Sequence, residues 1–177
     1  IELFAVKRDS QTPEGTAQGA ATLAGAQFTI GYYDGYFSAE SLPASPLRTW
    51  VVQTDDDGCA RADDEHLVGG DGFYHSLDGK VALPLGTYSI QETAAPDGYR
   101  LGSLGEQPQT QVVHVKANSA TGPIVDAFEP AEQADDVQRG GVAVGKVDRQ
   151  NGQYLPQGSA TLEGATFEIV SDNEQLV

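Results

Sequence analysis

The chain has 177 residues, enough for one large domain or for one domain and part of another. Lys and Arg total 10 against 26 Asp and Glu, a net charge of −16, which excludes the basic footprint of a nucleic-acid binder and disfavours anionic membranes. No apolar run nears the roughly 20 residues that span a bilayer, so no membrane insertion is expected. With no Met and no visible signal peptide, the chain is expected to be a mature or internal stretch of a longer protein. Hydrophobic residues make up 39%, enough for a core. The lone Cys59 cannot make an intrachain disulfide, so a secreted chain would need another brace.

Runs of strand length, rich in β-branched and aromatic residues, fall at 1–8, 26–33, 48–54, 85–93, 110–116 and 123–128. Pro13-Glu14-Gly15, Asp34-Gly35, Asp57-Gly58, Asp78-Gly79 and Asp97-Gly98 bound most of them as turns. Helical periodicity with caps is scarce. The pattern predicts an all-β, antiparallel β-sandwich. Residues 55–80, acidic and Gly-rich, read as a long surface excursion within an insertion at about 34–80.

An internal repeat sets the organisation. QGAATLAGAQFTI at 18–30 and QGSATLEGATFEI at 157–169 agree at nine of thirteen positions, at an offset of 139 residues. The same offset carries Lys7 in AVKRD to Lys146 in VGKVD. The expected layout is a complete domain at 1–129, a polar linker at 130–140, and the N-terminal part of a second copy at 141–177.

Three strands carry a charge in line with apolar neighbours. Alternation puts Leu3, Ala5 and Lys7 on one face, Tyr88, Ile90 and Glu92 on another, and Ile124, Asp126 and Phe128 on a third. Buried ionisable groups are rare unless paired, so these three are expected to meet. Read singly, Lys7 also fits an exposed edge strand, and Asp126 a cap before the turn at Pro130.

The segment LPLGTYSIQETAAPDGY at 83–99 resembles the E-box of Cna B-type domains, the repeat modules of Gram-positive collagen adhesins and SpaA-type pilins. AVKRD resembles their lysine strand and PIVDAFEP their closing strand. The resemblance implies an Ig-like or prealbumin-like module braced by an autocatalytic intramolecular isopeptide bond. Lys7 would be the nucleophile, Asp126 the electrophile and Glu92 the proton shuttle, with water leaving. Turnover catalysis is not implied, and no cofactor is expected. From reference values near 10.4 for Lys and 3.9 for Asp, moving the proton between them costs about 9 kcal/mol in water. Burial shifts of about 3 to 5 units on each group would offset this. Lys146 is the second-copy candidate lysine. It has no matching Glu or Asp in this chain, so it is expected to stay uncrosslinked.

The function expected from the resemblance is a stalk or repeat module of an extracellular, cell-wall-attached or secreted adhesin. Neighbouring repeats of the same protein are its first partners, and a host extracellular protein or glycan a further one. A pilin subunit is a variant. A separate class is a binding module whose insertion presents Tyr32, Tyr33, Tyr36, Phe37, Trp50, Phe73 and Tyr74 to a ligand; core packing is the plainer use of these rings. TDDDGCARADDE at 54–65 holds a fragment of a calcium-loop pattern, but Gln53 stands at its first ligand position, and a solvated acidic loop fits better. His66, His75 and His114 show no ligand spacing, so no metal site is expected.

Overall fold

The computed structural model describes residues 3–102, 107–116 and 131–170. The chain divides into two units, Ile1–Gln138 and Arg139–Val177. Among the described residues of the first, eight strands run in chain order: β1 (Leu3–Asp9), β2 (Gln27–Tyr33), β3 (Arg48–Gln53), β4 (Cys59–Arg61), β5 (Leu67–Gly70), β6 (Gly86–Ala94), β7 (Gln111–Val115) and β8 (Ala131–Asp135). Among the described residues a 3-10 turn at Ala39–Ser41 is the other regular element. No helix among the described residues is long and apolar enough to cross a membrane.

The strands form two sheets, ordered β4-β1-β8 and β5-β3-β2-β6-β7. The larger is antiparallel throughout, and its register aligns the apolar rows. Ile30 sits between Trp50 and Ile90, and Phe28 between Val52 and Glu92. These inward side chains are nearly inaccessible, while Gln91 on the other face of β6 is exposed, the alternation expected of a sheet buried on one side. In the small sheet β1 pairs antiparallel with β4 and parallel with β8, so the first and last described strands of the unit lie side by side.

A β-bulge at the start of β1 breaks the simple alternation read from the sequence. It lets Phe4, out of phase with Lys7, turn toward the same face of β6. The Phe4 ring centroid lies 6.2 Å from that of Tyr88, while Lys7 reaches Glu92 further along that face. Phe4, Phe73, Trp50, Tyr32 and Tyr88 then build one aromatic core between the sheets.

Two features differ from the sequence reading. The excursion at 55–80 contributes two strands, β4 and β5, and supplies Phe73 to the core. The stretch 130–140, expected as a linker, contains β8, whose pairing with β1 orders a segment of weak β-propensity. The expected strand at 123–128, with Asp126, lies outside the described residues.

The second unit repeats local turns of the first. Asp148 accepts hydrogen bonds from the Gln150 N–H and from Gln157 Nε2, as Asp9 does from the Gln11 N–H and Gln18 Nε2. Gly158 and Gly164 keep the positive φ of Gly19 and Gly25. No strand forms among its described residues, and Val142, Val144, Phe167 and Ile169 are exposed. Strands are stable only when paired and packed, and the described residues of this unit include no paired strand to pack an apolar face against.

Candidate functional site

Lys7 lies at the middle of β1, fully buried. Its amine donates to Glu92 Oε2 at 3.0 Å and sits 2.7 Å from Asp135 Oδ2. The contact with Asp135 is one of charges, because Oδ2 accepts no hydrogen bond among the described residues. Both carboxylate side chains are as inaccessible as the amine. Glu92 comes from the inward row of β6 and Asp135 from the inward row of β8 (Ala131, Gln133, Asp135), so the cluster bridges the two sheets.

One ammonium cannot neutralise two buried carboxylates, so the cluster favours a proton on one of them. Glu92 is the one pushed toward its acid form. Burial raises it to about 7 against the pull of Lys7, and the neighbouring Asp135 charge acts in the same direction as burial. Its Oε1 has no hydrogen-bond partner among the described residues, leaving an oxygen free to carry the proton. The arrangement therefore holds an amine, a carboxyl carbon and a proton-carrying acid in contact, away from water.

The strands are held in place by groups that the sequence reading passed over. Asp9, almost fully buried two residues beyond Lys7, accepts from the Gln11 N–H, from Gln18 Nε2 and from the Tyr99 hydroxyl at 2.8 Å. Burial and the Asp9 charge hold that hydroxyl above its usual range. The repeat carried the signal, since Asp9 and Gln18 recur as Asp148 and Gln157. The acidic loop has a structural use as well. Asp55 accepts from the N–H groups of Asp57 and Cys59 and pairs with Arg61. Gly58, at φ +75°, passes so close to β1 that a Cβ would lie 2.8 Å from the Lys7 carbonyl oxygen.

Of the residues singled out from the sequence, the structure brings Lys7 and Glu92 together. Asp126 lies outside the described residues, and the carboxylate beside the Lys7 amine is Asp135. Lys146 is exposed and makes no ion pair among the described residues. The rings proposed as a ligand surface divide: Trp50, Tyr32 and Phe73 are core, whereas Tyr36 is 54% exposed. The strand AEQAD, which carries Asp135, has no β-branched residue to reveal it.

Two packed sheets, the smaller of which pairs the first and last described strands of the unit, define a prealbumin-like β-module. The family model for the SpaA prealbumin-like fold domain matches residues 14–125, more than half of the chain, and the chain belongs to that family. Its members are building modules of pilins and surface adhesins. The match includes Glu92, while Lys7 and Asp135 lie just beyond its two ends. No curated protein matches the chain.

Proposed function

We propose that residues 1–138 form a stalk module of an extracellular adhesin or pilin, braced by an autocatalytic isopeptide bond between Lys7 and Asp135 with Glu92 as proton shuttle. The observation that carries this is the Lys7 amine held in contact with both buried carboxyls. In the reaction the Lys7 ammonium passes a proton through Glu92 to the Asp135 carboxylate. The neutral amine attacks Cγ, the C–N bond forms, and a C–O bond breaks. The second amine proton, relayed by Glu92, leaves with that oxygen as water. Glu92 ends as it began, but Lys7 and Asp135 are consumed in the bond, so the step happens once per molecule. Fixed proximity supplies on the order of 7–11 kcal/mol of the barrier. Adjoining repeats are the natural neighbours of such a module, with a host protein or glycan as the further target of the whole adhesin.

The choice of acceptor has its own test. An amide made from Asp135 with loss of water is chemically the same as one made from Asn with loss of ammonia. Wild type and Asp135→Asn are therefore expected to reach the same mass, with a tryptic cross-link joining the peptides of residues 7 and 135. Asp135→Ala is expected to keep its full calculated mass, and Asp126→Ala to cross-link as wild type does. A cross-link retained in Asp135→Ala would move the acceptor elsewhere.

The Glu92 proton also gives a pH dependence. The ordinary value is 4.5 and the folded value about 7, so across that window the folded chain holds a proton that the unfolded chain has released. Stability is fully present below the lower value and falls as pH rises through the upper one, by roughly 3 kcal/mol. Urea unfolding of Lys7→Arg, which keeps a cation but cannot form the amide, is expected to show this fall. Adding Glu92→Gln is expected to remove it.

A further inference from the structure

The two oxygens of Asp135 have different surroundings. Oδ2 faces the Lys7 amine and accepts no hydrogen bond among the described residues. Oδ1 points the other way. It accepts from the backbone N–H of Gly102 at 3.2 Å, with Gln133 Nε2 at 3.4 Å as a weaker second donor.

The Gly102 donor is placed by a segment that follows β6. Tyr99 bridges to Val137 in antiparallel fashion, the Arg100 N–H donates to the Asp136 carbonyl, and the Gln138 N–H donates to the Gly98 carbonyl. The segment 98–102 is thus laid along the chain just past Asp135. Gly102 itself has φ +73°, a conformation that L side chains rarely adopt and glycine takes freely. From there its N–H is aimed at the side chain rather than into the ladder.

Resting on the isopeptide reading above, we infer that the Gly102 N–H is a catalytic donor, an oxyanion site that holds Asp135 Oδ1 while Lys7 attacks. When the amine adds to Cγ, negative charge collects on one oxygen, and a fixed donor in a dry site stabilises charge there. Oδ1 is the oxygen so held, and it stays behind as the carbonyl oxygen of the isopeptide. Oδ2, on the side of Lys7 and Glu92, takes the relayed proton and departs as water. The asymmetry assigns each oxygen its fate, and the atoms balance: one C–N bond formed, one C–O bond broken, one water released.

The test replaces Gly102 by glycolic acid in the full chain through ribosomal incorporation, which turns the amide into an ester. This removes the N–H and keeps the backbone freedom. Each chain is refolded from denaturant before any bond has formed, and the loss of water is followed by intact mass against time. Removing one donor of this kind slows the step by roughly 100-fold. The ester chain is expected to show that slowing, to lose the same one water in the end, and to keep the wild-type pH dependence, since Glu92 is untouched. A rate within twofold of wild type would overturn the inference while leaving the bond itself in place. Should the ester chain fail to fold, NMR of the cross-linked wild type decides. A through-hydrogen-bond coupling between Gly102 nitrogen and the Asp135 side-chain carbon is expected, and a solvent-exchanging Gly102 N–H without that coupling would refute the assignment. Absence of any water loss in wild type would instead defeat the isopeptide reading.

Discussion

Lys7→Ala is expected to melt about 20–30 °C below wild type, the largest loss of any single substitution in the chain. Two effects combine. Removing the amine leaves Glu92 and Asp135 buried without their cation, and breaking such a pair costs about 3–5 kcal/mol. The bond is lost as well. It would close a loop of nearly the whole first unit, and a loop of about 100 residues is worth roughly 4.7 kcal/mol in the chain-entropy model. The sum is comparable to the entire stability of an ordinary domain, about 5–15 kcal/mol. Lys7→Arg separates the two, since it keeps the charge and loses only the bond. It is expected to fall by about half as much in thermal melts followed by circular dichroism. A Lys7→Ala protein melting within a few degrees of wild type would mean that neither bond nor charge cluster supports the fold.

Trp50→Ala is expected to cost about 3–5 kcal/mol in urea unfolding. Trp50 is fully buried, its ring centroid lies 5.2 Å from that of Phe73 and 6.2 Å from that of Tyr88, and its indole N–H donates to the Gly72 carbonyl. The substitution removes the hub of the core and leaves a cavity at the junction of β3, β6 and the insertion. Tyr36→Ala, on an exposed ring, is expected to change stability by less than about 0.5 kcal/mol. The pair distinguishes core from ligand surface: a well-folded Trp50→Ala protein would return this ring to a binding role.

The parts of the fold legible in the sequence are those whose local chemistry agrees with the tertiary result. β2, β3, β6 and β7 are built from β-branched and aromatic residues in alternation, and they lie within a residue or so of where the pattern puts them. Lys7 and Glu92 stood out because alternation set each among residues that had to be buried. β8 was not legible. Ala131-Glu132-Gln133-Ala134-Asp135 has the composition of a helix or a linker, and only pairing with β1 makes it a strand. Asp135 therefore sat in a polar run with nothing to mark it as buried. The bulge at Phe4 was hidden for a related reason, since it depends on how β1 meets β4 and no residue of β1 announces it.

For a pull on the first unit, the consequence is geometric. β1 and β8 run parallel and adjacent, so force applied at the two ends would enter near Lys7 and leave near Asp135. A covalent bond between them would carry it past the rest of the fold, and unlike a disulfide it would not be lost by reduction.

The central claim is tested most directly by the intact mass of the purified protein beside its Glu92→Ala variant. With a Lys7–Asp135 bond promoted by Glu92, wild type is lighter than its calculated mass by one water, and the variant has its full calculated mass. A wild-type protein at full calculated mass would contradict the claim and leave Lys7, Glu92 and Asp135 as a buried ionic cluster in a prealbumin-like module.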